Sequence, residues 1–343
     1  MRGAVMDRVR FGKTGLEVSR IAFGGIPIMR LSTDDAVDIV KEALRLDINF
    51  FDTANGYADS EIKIGIGIKG VPREELVIAT KSAAKEKQSL TEHLDLSLKQ
   101  LGVDYVDIYQ LHNVGPKNCQ AVFGPGGAYE GMLEAIQAGK VRFPAFSSHS
   151  IPLAIDIMKE DKFDVVQLPF NYIDDMAAEE AIPLAKELDM GFIAMKPMGG
   201  GLLYDAGLSF RYLLQFESIV PDPGIEKLEE IREIAAVVES NKGFSDEDRA
   251  EVIRLRTELG SSWCHRCDYC QPCAQGIPIS TVLTSKSFLK RFSLEKARFF
   301  AQEAVEKAHD CTECRECVAR CPYDLNIPVL LKERIAYWEA HSK

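Results

Sequence analysis

INFFDTANGY, at residues 48–57, combines a short apolar run with an acidic residue at its end and a tyrosine soon after. Two further apolar runs are also followed by an ionisable residue. LVIAT at 76–80 is followed by Lys81, and VDIYQL at 106–111 is followed by His112. Each run has the length and the apolar content of a buried strand. The sequence therefore predicts three successive strands that each end at an ionisable side chain.

Helical patterns separate these predicted strands. Apolar residues recur at helical spacing from Ala36 to Leu44 after a capping residue, Ser32, and a second helix from Leu90 ends at Gly102. A short hairpin at 7–19 comes first. Five further strands are predicted at 21–24, 141–146, 165–168, 192–195 and 218–220. Strands that are buried on both faces and joined by helices pair in parallel, with right-handed crossovers.

Eight such strand–helix units suit a (β/α)8 TIM barrel, which typically takes about 250 residues. A doubly wound sheet is the alternative, and it usually carries a G-x-G-x-x-G turn after its first strand. GGIP at 24–27 does not match that turn, so the barrel is favoured. We predict a barrel domain at 1–240 and a second, α-helical domain at 241–343, with a polar segment at 241–247 marking the boundary.

Cysteines are concentrated in the second predicted domain, where eight of the nine lie between Cys264 and Cys321. The N-terminal ten residues lack the apolar core of a secretory signal, and no run reaches the length of a membrane span. A cysteine-dense tail in such a chain indicates a cytoplasmic, reducing location and a metal or cluster site rather than disulfides. The net charge of −11 argues against a nucleic-acid partner.

The last four cysteines follow the bacterial ferredoxin pattern C-x2-C-x2-C-x3-C-P, whose fourth cysteine usually ligates the other cluster. They are Cys311, Cys314, Cys317 and Cys321, followed by Pro322. The first four are spaced by two residues throughout: Cys264, Cys267, Cys270 and Cys273. Two C-x2-C pairs can also bind one zinc ion, but their spacer is normally longer. The spacing therefore predicts iron–sulfur ligation, and zinc remains the alternative for the first set.

The simplest ligation is crossed between the two sets. We expect one [4Fe-4S] cluster on Cys264, Cys267, Cys270 and Cys321. We expect a second cluster on Cys311, Cys314, Cys317 and Cys273. The spacer has helical patterns at 281–292 and 294–309, and it resembles the α-helical two-cluster ferredoxins. The protein should then carry about eight iron atoms per chain when it is purified anaerobically.

Residues 8–240 resemble the aldo-keto reductase family. The matching motifs are FDTA at 51–54 with Tyr57, ATK at 79–81, QLH at 110–112, Gln167, Asn171, KPMGGG at 196–201, and Val220-Pro221 with Pro223-Gly224. With its cysteine-rich tail, the whole chain resembles the iron–sulfur-containing aldo-keto reductases of prokaryotes. The resemblance implies a barrel that binds NAD(H) or NADP(H) and interconverts a small carbonyl substrate and an alcohol.

The resemblance also implies a catalytic set, Asp52, Tyr57, Lys81 and His112. Hydride transfer to a carbonyl leaves negative charge on the oxygen, which needs a proton donor and hydrogen-bond donors. Tyr57 is the expected acid, and a Lys81 ammonium nearby would lower the pKa of a phenol from about 10. Asp52 would pair with Lys81, and His112 would orient the substrate oxygen.

Cofactor contacts follow from the same resemblance. Four residues match positions that hold the nicotinamide carboxamide: Ser147, Ser148, Gln167 and Asn171. Met195 stands where the family often has an aromatic residue against the nicotinamide ring. Gly199 and Gly200, with Lys196, would approach the pyrophosphate through backbone N–H groups and charge. The other expected contacts are Gly25, Gly224 and Glu226.

Glu226 bears on the choice between NADH and NADPH. It stands where relatives that use NADPH commonly place a basic residue, and a carboxylate would repel a 2′-phosphate. This favours NADH. A shift of one residue in the correspondence would bring Lys227 to that position and reverse the inference.

Three functions fit these patterns. The first is a carbonyl or alcohol oxidoreductase whose clusters exchange electrons with a redox partner protein. The second is a reductase with structural or oxygen-sensing clusters. The third is an electron-transfer protein with a non-catalytic barrel, and the intact catalytic set counts against it. Nicotinamide gives two electrons as a hydride and a cluster takes one, so direct coupling would need a flavin, for which no motif is readable.

Overall fold

In a computed structural model of the chain, residues 6–240, 242–260, 262–266, 269–321 and 323–342 are described. The chain divides into two compact units, one of Met1–Met198 with Asp205–Phe244 and one of Gly199–Tyr204 with Ser245–Lys343. The expected boundary lies between residues 240 and 241. The structural division instead falls between residues 244 and 245, and it also assigns the segment 199–204 to the second unit. Within the second unit, a Cβ placed on Gly199 would lie 2.5 Å from the Trp263 ring, so this segment packs closely there.

The first unit begins with an antiparallel hairpin of β1 (Arg8–Phe11) and β2 (Leu16–Ser19). Its side chains join the apolar interior of the following sheet, and the Phe11 ring lies 5.5 Å from that of Phe50. The hairpin predicted at 7–19 is therefore present.

Eight parallel strands follow in chain order, each paired with the next. They are β3 (Phe23–Gly24), β4 (Phe50–Asp52), β5 (Val77–Ser82), β6 (Val106–Leu111), β7 (Val141–Ser147), β8 (Val165–Pro169), β9 (Gly191–Met195) and β10 (Ile219–Asp222). A parallel bridge between Gly24 and Gly224 joins the first of these strands to the segment after the last. The sheet thus forms a nearly closed barrel, which confirms the predicted (β/α)8 class.

Helices connect the strands on the outside. They are α1 (Thr33–Arg45), α2 (Ser60–Gly67), α3 (Lys87–Leu101), α4 (Cys119–Phe123), α5 (Ala128–Gln137), α6 (Ile151–Lys159), α7 (Ala181–Glu187), α8 (Ala206–Leu214) and α9 (Leu228–Ser240). The Ser32 side chain accepts a hydrogen bond from Asp35 N and caps α1, as the sequence predicts. Helix α7 begins at Ala181, after a short 3-10 turn at Met176–Ala178.

In the described residues of the second unit, the regular secondary structure is helical. Its helices are α10 (Asp246–Gly260), α11 (Ile279–Arg291), α12 (Leu294–Ala308), α13 (Glu316–Ala319) and α14 (Ile327–His341). Alanines on α12, from Ala297 to Ala308, let α11 and α14 pack closely around a core that includes Val282 and Trp338. Among the described helices, none has the length and apolar content needed to span a membrane.

Candidate active site

Three expected catalytic residues stand at the carboxyl ends of adjacent strands. Asp52 ends β4, Lys81 lies one residue before the end of β5, and His112 follows β6 directly. The parallel register pairs Asp52 with Ala79 and Lys81 with Gln110, so the three ends lie side by side. Tyr57 lies in the loop after β4. The barrel thus brings the set together at the end where barrel enzymes place their active sites.

Lys81 is the centre of this group. Its Nζ donates to Asp52 Oδ2 and, at 2.7 Å, to Thr53 O. Asp52 is buried with it and accepts a second bond from Gln110 Nε2 at 3.0 Å. Burial lowers the pKa of Lys81, but the negative charges around it, Asp52 above all, raise that pKa by more. Lys81 therefore remains an ammonium at neutral pH.

Tyr57 and His112 face each other above Lys81. Their rings meet edge to face with centroids 5.7 Å apart, and Lys81 Nζ lies 5.5 Å from the Tyr57 centroid. Both side chains are partly exposed. Burial, and then the Lys81 charge, lower the pKa of His112 to about 3. The imidazole is therefore neutral near pH 7, with one nitrogen that donates and one that accepts.

A further carboxyl in this group, Asp222, was not predicted. It is the last residue of β10 and is 8 % exposed. Gln167 Nε2 donates both to Asp222 Oδ2 at 3.0 Å and to Asp52 Oδ2 at 3.2 Å. Burial, and then the Asp52 charge, raise the pKa of Asp222 well above its ordinary value. The sequence signal for Asp222 was its place at the end of a strand, but Pro221 and Pro223 on either side hid that the strand extends this far.

The four residues expected at the nicotinamide carboxamide differ in what they offer. Gln167 Oε1 is buried and has no hydrogen-bond partner within the described part of the chain. The other three are used by nearby loops. Ser147 Oγ accepts from Asn113 N at 2.9 Å, Ser148 Oγ donates to Val114 O at 2.7 Å, and Asn171 Oδ1 accepts from Ile173 N at 2.8 Å.

Met195 was expected against the nicotinamide ring, and Lys196, Gly199 and Gly200 were expected near the pyrophosphate. Met195 ends β9 and is partly exposed, and Lys196 Nζ lies 3.0 Å from His149 Nε2. Gly199 and Gly200 fall in the second unit and have φ values of 58° and 68°, which favour glycine.

The glycines Gly25 and Gly224 have structural reasons to be glycine. A Cβ on Gly25 would lie 2.8 Å from Ser60 Oγ, and one on Gly224 would lie 2.8 Å from the Pro27 ring. The approach at Gly224 occurs beside the Gly24–Gly224 bridge, where the first strand of the barrel meets the segment after the last.

The Glu226 carboxylate forms an ion pair with Arg30. Arg30 Nε and Nη2 donate to its two carboxylate oxygens at 3.0 and 2.7 Å. Beside it, Glu230 Oε2 accepts from Glu226 N at 2.8 Å and from Lys227 N at 3.1 Å. The N–H groups that precede α9 therefore already hold a carboxylate of the chain.

In the second unit, four cysteines line one cavity. They are Cys273, Cys311, Cys314 and Cys317. Cys264, Cys270 and Cys321 pack against the same helical core, and Cys267 and Pro322 lie outside the described residues. No disulfide joins the cysteines that the structure describes. Nor does any group of three or more His, Cys, Asp or Glu side chains in the described ranges converge on a single-ion position.

Comparison with known families assigns both parts of the chain. Residues 20–213 match the model of the Aldo/keto reductase family. Residues 263–326 match a 4Fe-4S dicluster domain.

Among relatives, L-galactose dehydrogenase of Arabidopsis thaliana is 30% identical over 214 residues, 57% of this chain and 66% of that protein. NADH-specific methylglyoxal reductase of Escherichia coli (strain K12) is 26% identical over 230 residues, 58% of this chain and 69% of that protein. The chain thus spans about two thirds of the length of these relatives.

Solved structures share the barrel fold. The holo form of aldo-keto reductase AKR11C1 from Bacillus halodurans has a TM-score of 0.63 at 22% identity, covering 73% of this chain and 96% of that one. An aldo/keto reductase from Klebsiella pneumoniae in complex with NADP and acetate has a TM-score of 0.62 at 20% identity, covering 73% and 95%.

Proposed function

Because the chain belongs to the aldo/keto reductase family and carries a 4Fe-4S dicluster domain, we propose that it interconverts a small carbonyl compound and an alcohol with a nicotinamide cofactor. Tyr57 serves as general acid and base. The observation that carries this proposal is the buried ion pair of Lys81 and Asp52, over which the Tyr57 and His112 rings meet.

The chain's own side chains handle charge and protons. A bound reduced nicotinamide supplies the hydride. Tyr57 gives its phenolic proton to the carbonyl oxygen, and the Lys81 ammonium stabilises the phenolate that remains. Asp52 keeps Lys81 charged and in place. The neutral His112 donates one N–H to the same oxygen and orients it.

The barrel mouth has an atom suited to the cofactor. Gln167 Oε1 is a buried acceptor without a described partner, and a carboxamide N–H group would satisfy it. Ser147, Ser148 and Asn171 hold the loops around that position, because their side chains form hydrogen bonds with loop backbone.

We also propose that the cofactor is NADH. A 2′-phosphate at the start of α9 would meet two carboxylates, because Glu230 occupies the N–H groups of Glu226 and Lys227. Arg30 is already held by Glu226. One relative is named as NADH-specific, whereas one structural neighbour was solved with NADP.

The cysteines are assigned to two clusters on the crossed scheme. The cavity lined by Cys273, Cys311, Cys314 and Cys317 supports one set, since it joins a cysteine of the first group to three of the second. The other set is Cys264, Cys267, Cys270 and Cys321. Bound clusters of this type exchange single electrons, so we assign the second unit to electron exchange with a redox partner protein.

Substitution of Tyr57 tests the catalytic assignment. In Tyr57→Phe, carbonyl reduction should fall by about 10²–10⁴-fold, the usual contribution of a general acid. NADH binding, measured by the quenching of NADH fluorescence, should not change. Turnover of a panel of small aldehydes and ketones measures the first quantity. Undiminished turnover would contradict the role of Tyr57.

The matched control is Tyr105→Phe. Tyr105 stacks under the Arg73 guanidinium at 4.0 Å and precedes β6, at the amino end of that strand. Loss of a hydroxyl there should leave turnover unchanged. Equal losses in both variants would indicate an effect on folding rather than on proton transfer.

A further inference from the structure

Two carboxyl groups share one cation at the mouth of the barrel. Gln167 Nε2 reaches Asp52 Oδ2 and Asp222 Oδ2 at 3.2 and 3.0 Å, so a single amide nitrogen bridges them. Lys81 pairs with Asp52. Asp52 is 3 % exposed and Asp222 is 8 % exposed. If both carboxyls were ionised, this buried group would carry one excess negative charge.

An uncompensated buried charge is costly, and two neighbouring carboxylates resist joint ionisation. Asp52 has the Lys81 ammonium bonded to it. Asp222 has no such cation, and burial followed by the Asp52 charge raises its pKa. Burial and the neighbouring carboxyl therefore favour the protonated form of Asp222.

Asp222 also has an oxygen that the protein does not use. Its Oδ1 is buried and has no hydrogen-bond partner in the described ranges, and a Cβ on Gly24 would lie 2.9 Å from it. Gln167 Oε1 lacks a described partner as well. Two neighbouring residues at the carboxyl end of the barrel thus each hold a buried oxygen that has no hydrogen-bond partner in the described ranges.

We propose that Asp222 is the counter-charge of the oxidised nicotinamide ring and releases its proton when NAD⁺ binds. This inference rests on the proposed function, since it needs the ring in the barrel mouth. On binding, the Asp222 O–H bond breaks, the proton passes to solvent, and carboxylate and cationic ring neutralise each other. No electrons move. NADH has an uncharged ring, so Asp222 keeps its proton when NADH binds.

The other ionisable groups around Asp222 make contacts with one another. Asp52 and Lys81 form an ion pair, and His112, beyond them with Tyr57, has its pKa lowered to about 3. On neighbouring β9, Met195 is the register partner of Asp222, and the Lys196 ammonium that follows contacts His149. On the β3 side Gly24 and Gly25 bring no charge. Further along the loop, Arg30 and Glu226 neutralise each other.

The consequence is a pH dependence that separates the two cofactor forms. A raised pKa in the free protein means that Asp222 is protonated below that pKa. The positive ring lowers this pKa when NAD⁺ binds. Between the two values, the dissociation constant of NAD⁺ falls as pH rises, by up to about tenfold per pH unit. The dissociation constant of NADH should not show this slope.

Calorimetric titration of the anaerobically purified chain tests the inference. Each cofactor is titrated in buffers of different ionisation enthalpy, which counts the protons released. We expect up to one proton per NAD⁺ bound and none per NADH. In Asp222→Asn, which keeps the shape without the titration, proton release and the slope for NAD⁺ should disappear.

Asp164→Asn is the matched control. Asp164 is another carboxyl whose pKa is raised by burial, but it precedes β8 and lies near Lys13, at the amino end of the barrel. Its substitution should leave proton release by NAD⁺ unchanged.

Two results would overturn the role of Asp222: NAD⁺ binding to the wild type without proton release, or release that persists in Asp222→Asn. The wild-type titration stands alone if that variant does not fold. Failure of the wild type to bind either cofactor would instead overturn the proposed function, and this inference with it.

Discussion

The charge on Lys81 depends on the side chains around it. Its ammonium is 2 % exposed, and a cation so buried would lose its proton without an anion beside it. Asp52 supplies that anion and is itself oriented by Gln110 and Gln167. Removing one partner of a buried pair typically costs about 3–5 kcal/mol. The acid chemistry proposed for Tyr57 and the stability of the barrel mouth therefore depend on the same pair.

Arg30 and Glu226 form the residue pair that bears on cofactor preference. The guanidinium is the cation suited to a 2′-phosphate, but it binds the carboxylate bidentately. NADPH would have to compete with that carboxylate for Arg30. NADH would not.

Glu226→Gln should therefore strengthen NADPH binding and leave NADH binding nearly unchanged. A charge-assisted hydrogen bond is worth about 1.5–3 kcal/mol, which corresponds to roughly 10–100-fold in the dissociation constant for NADPH. Fluorescence titration with both reduced cofactors measures the ratio. Glu229→Gln, which changes the same charge on an exposed position of α9, is the control. An unchanged ratio in Glu226→Gln would count against the proposed NADH preference.

At the scale of elements, the cysteine-lined cavity is built from loops on a helical frame. The loop around Cys273 and the turn from Cys311 to Cys317 meet there, with Pro328 and Leu331 of α14 beneath them. Helices α11, α12 and α14 support both loops through one apolar core. Helix packing thus brings together cysteines from two separate motifs.

Cys273→Ser tests this element-level assignment. If Cys273 ligates the cluster of the second motif, the substitution should lower the iron content from about eight to about four atoms per chain. Iron and acid-labile sulfide assays on anaerobically purified protein measure it. Cys119→Ser removes the cysteine of helix α4 in the barrel unit and should lose no iron. A wild type with four irons, or with one equivalent of zinc, would refute the two-cluster scheme.

At the scale of the whole molecule, one chain combines two domains of different families. The barrel belongs to a family of nicotinamide-type oxidoreductases, and the tail belongs to the 4Fe-4S dicluster domains. A hydride carries two electrons and a cluster accepts one. Whether the two chemistries are coupled separates an electron-exchanging enzyme from one whose clusters are structural or oxygen-sensing.

Anaerobic addition of NADH, followed by EPR spectroscopy, distinguishes these roles. If the clusters take electrons from NADH through a bound flavin, the signal of reduced [4Fe-4S] clusters should appear after NADH and not after NAD⁺. Dithionite provides the reference for full reduction. Clusters that are reduced by dithionite but silent with NADH would support a structural or sensing role.

Much of the barrel could be predicted because its strands are buried on both faces and appear as unbroken apolar runs. Helix α2 was not identified, since Ile62, Ile64 and Ile66 alternate with the period of a strand. The final strand was predicted to end at residue 220, because prolines are poor strand formers. Pairing with β9 extends it to Asp222.

Local sequence was enough for the features that depend on spacing along the chain: the strand ends at Asp52, Lys81 and His112, the Ser32 cap and the cysteine motifs. The structure was needed for interactions between distant segments. Asp222 meets Asp52 because the last strand of a barrel returns beside the first. Glu226 meets Arg30 across 196 residues for the same reason. Such proximity arises from barrel closure, which leaves no periodic pattern in the sequence. The same holds for the burial of Asp222, which raises its pKa ahead of the Asp52 charge.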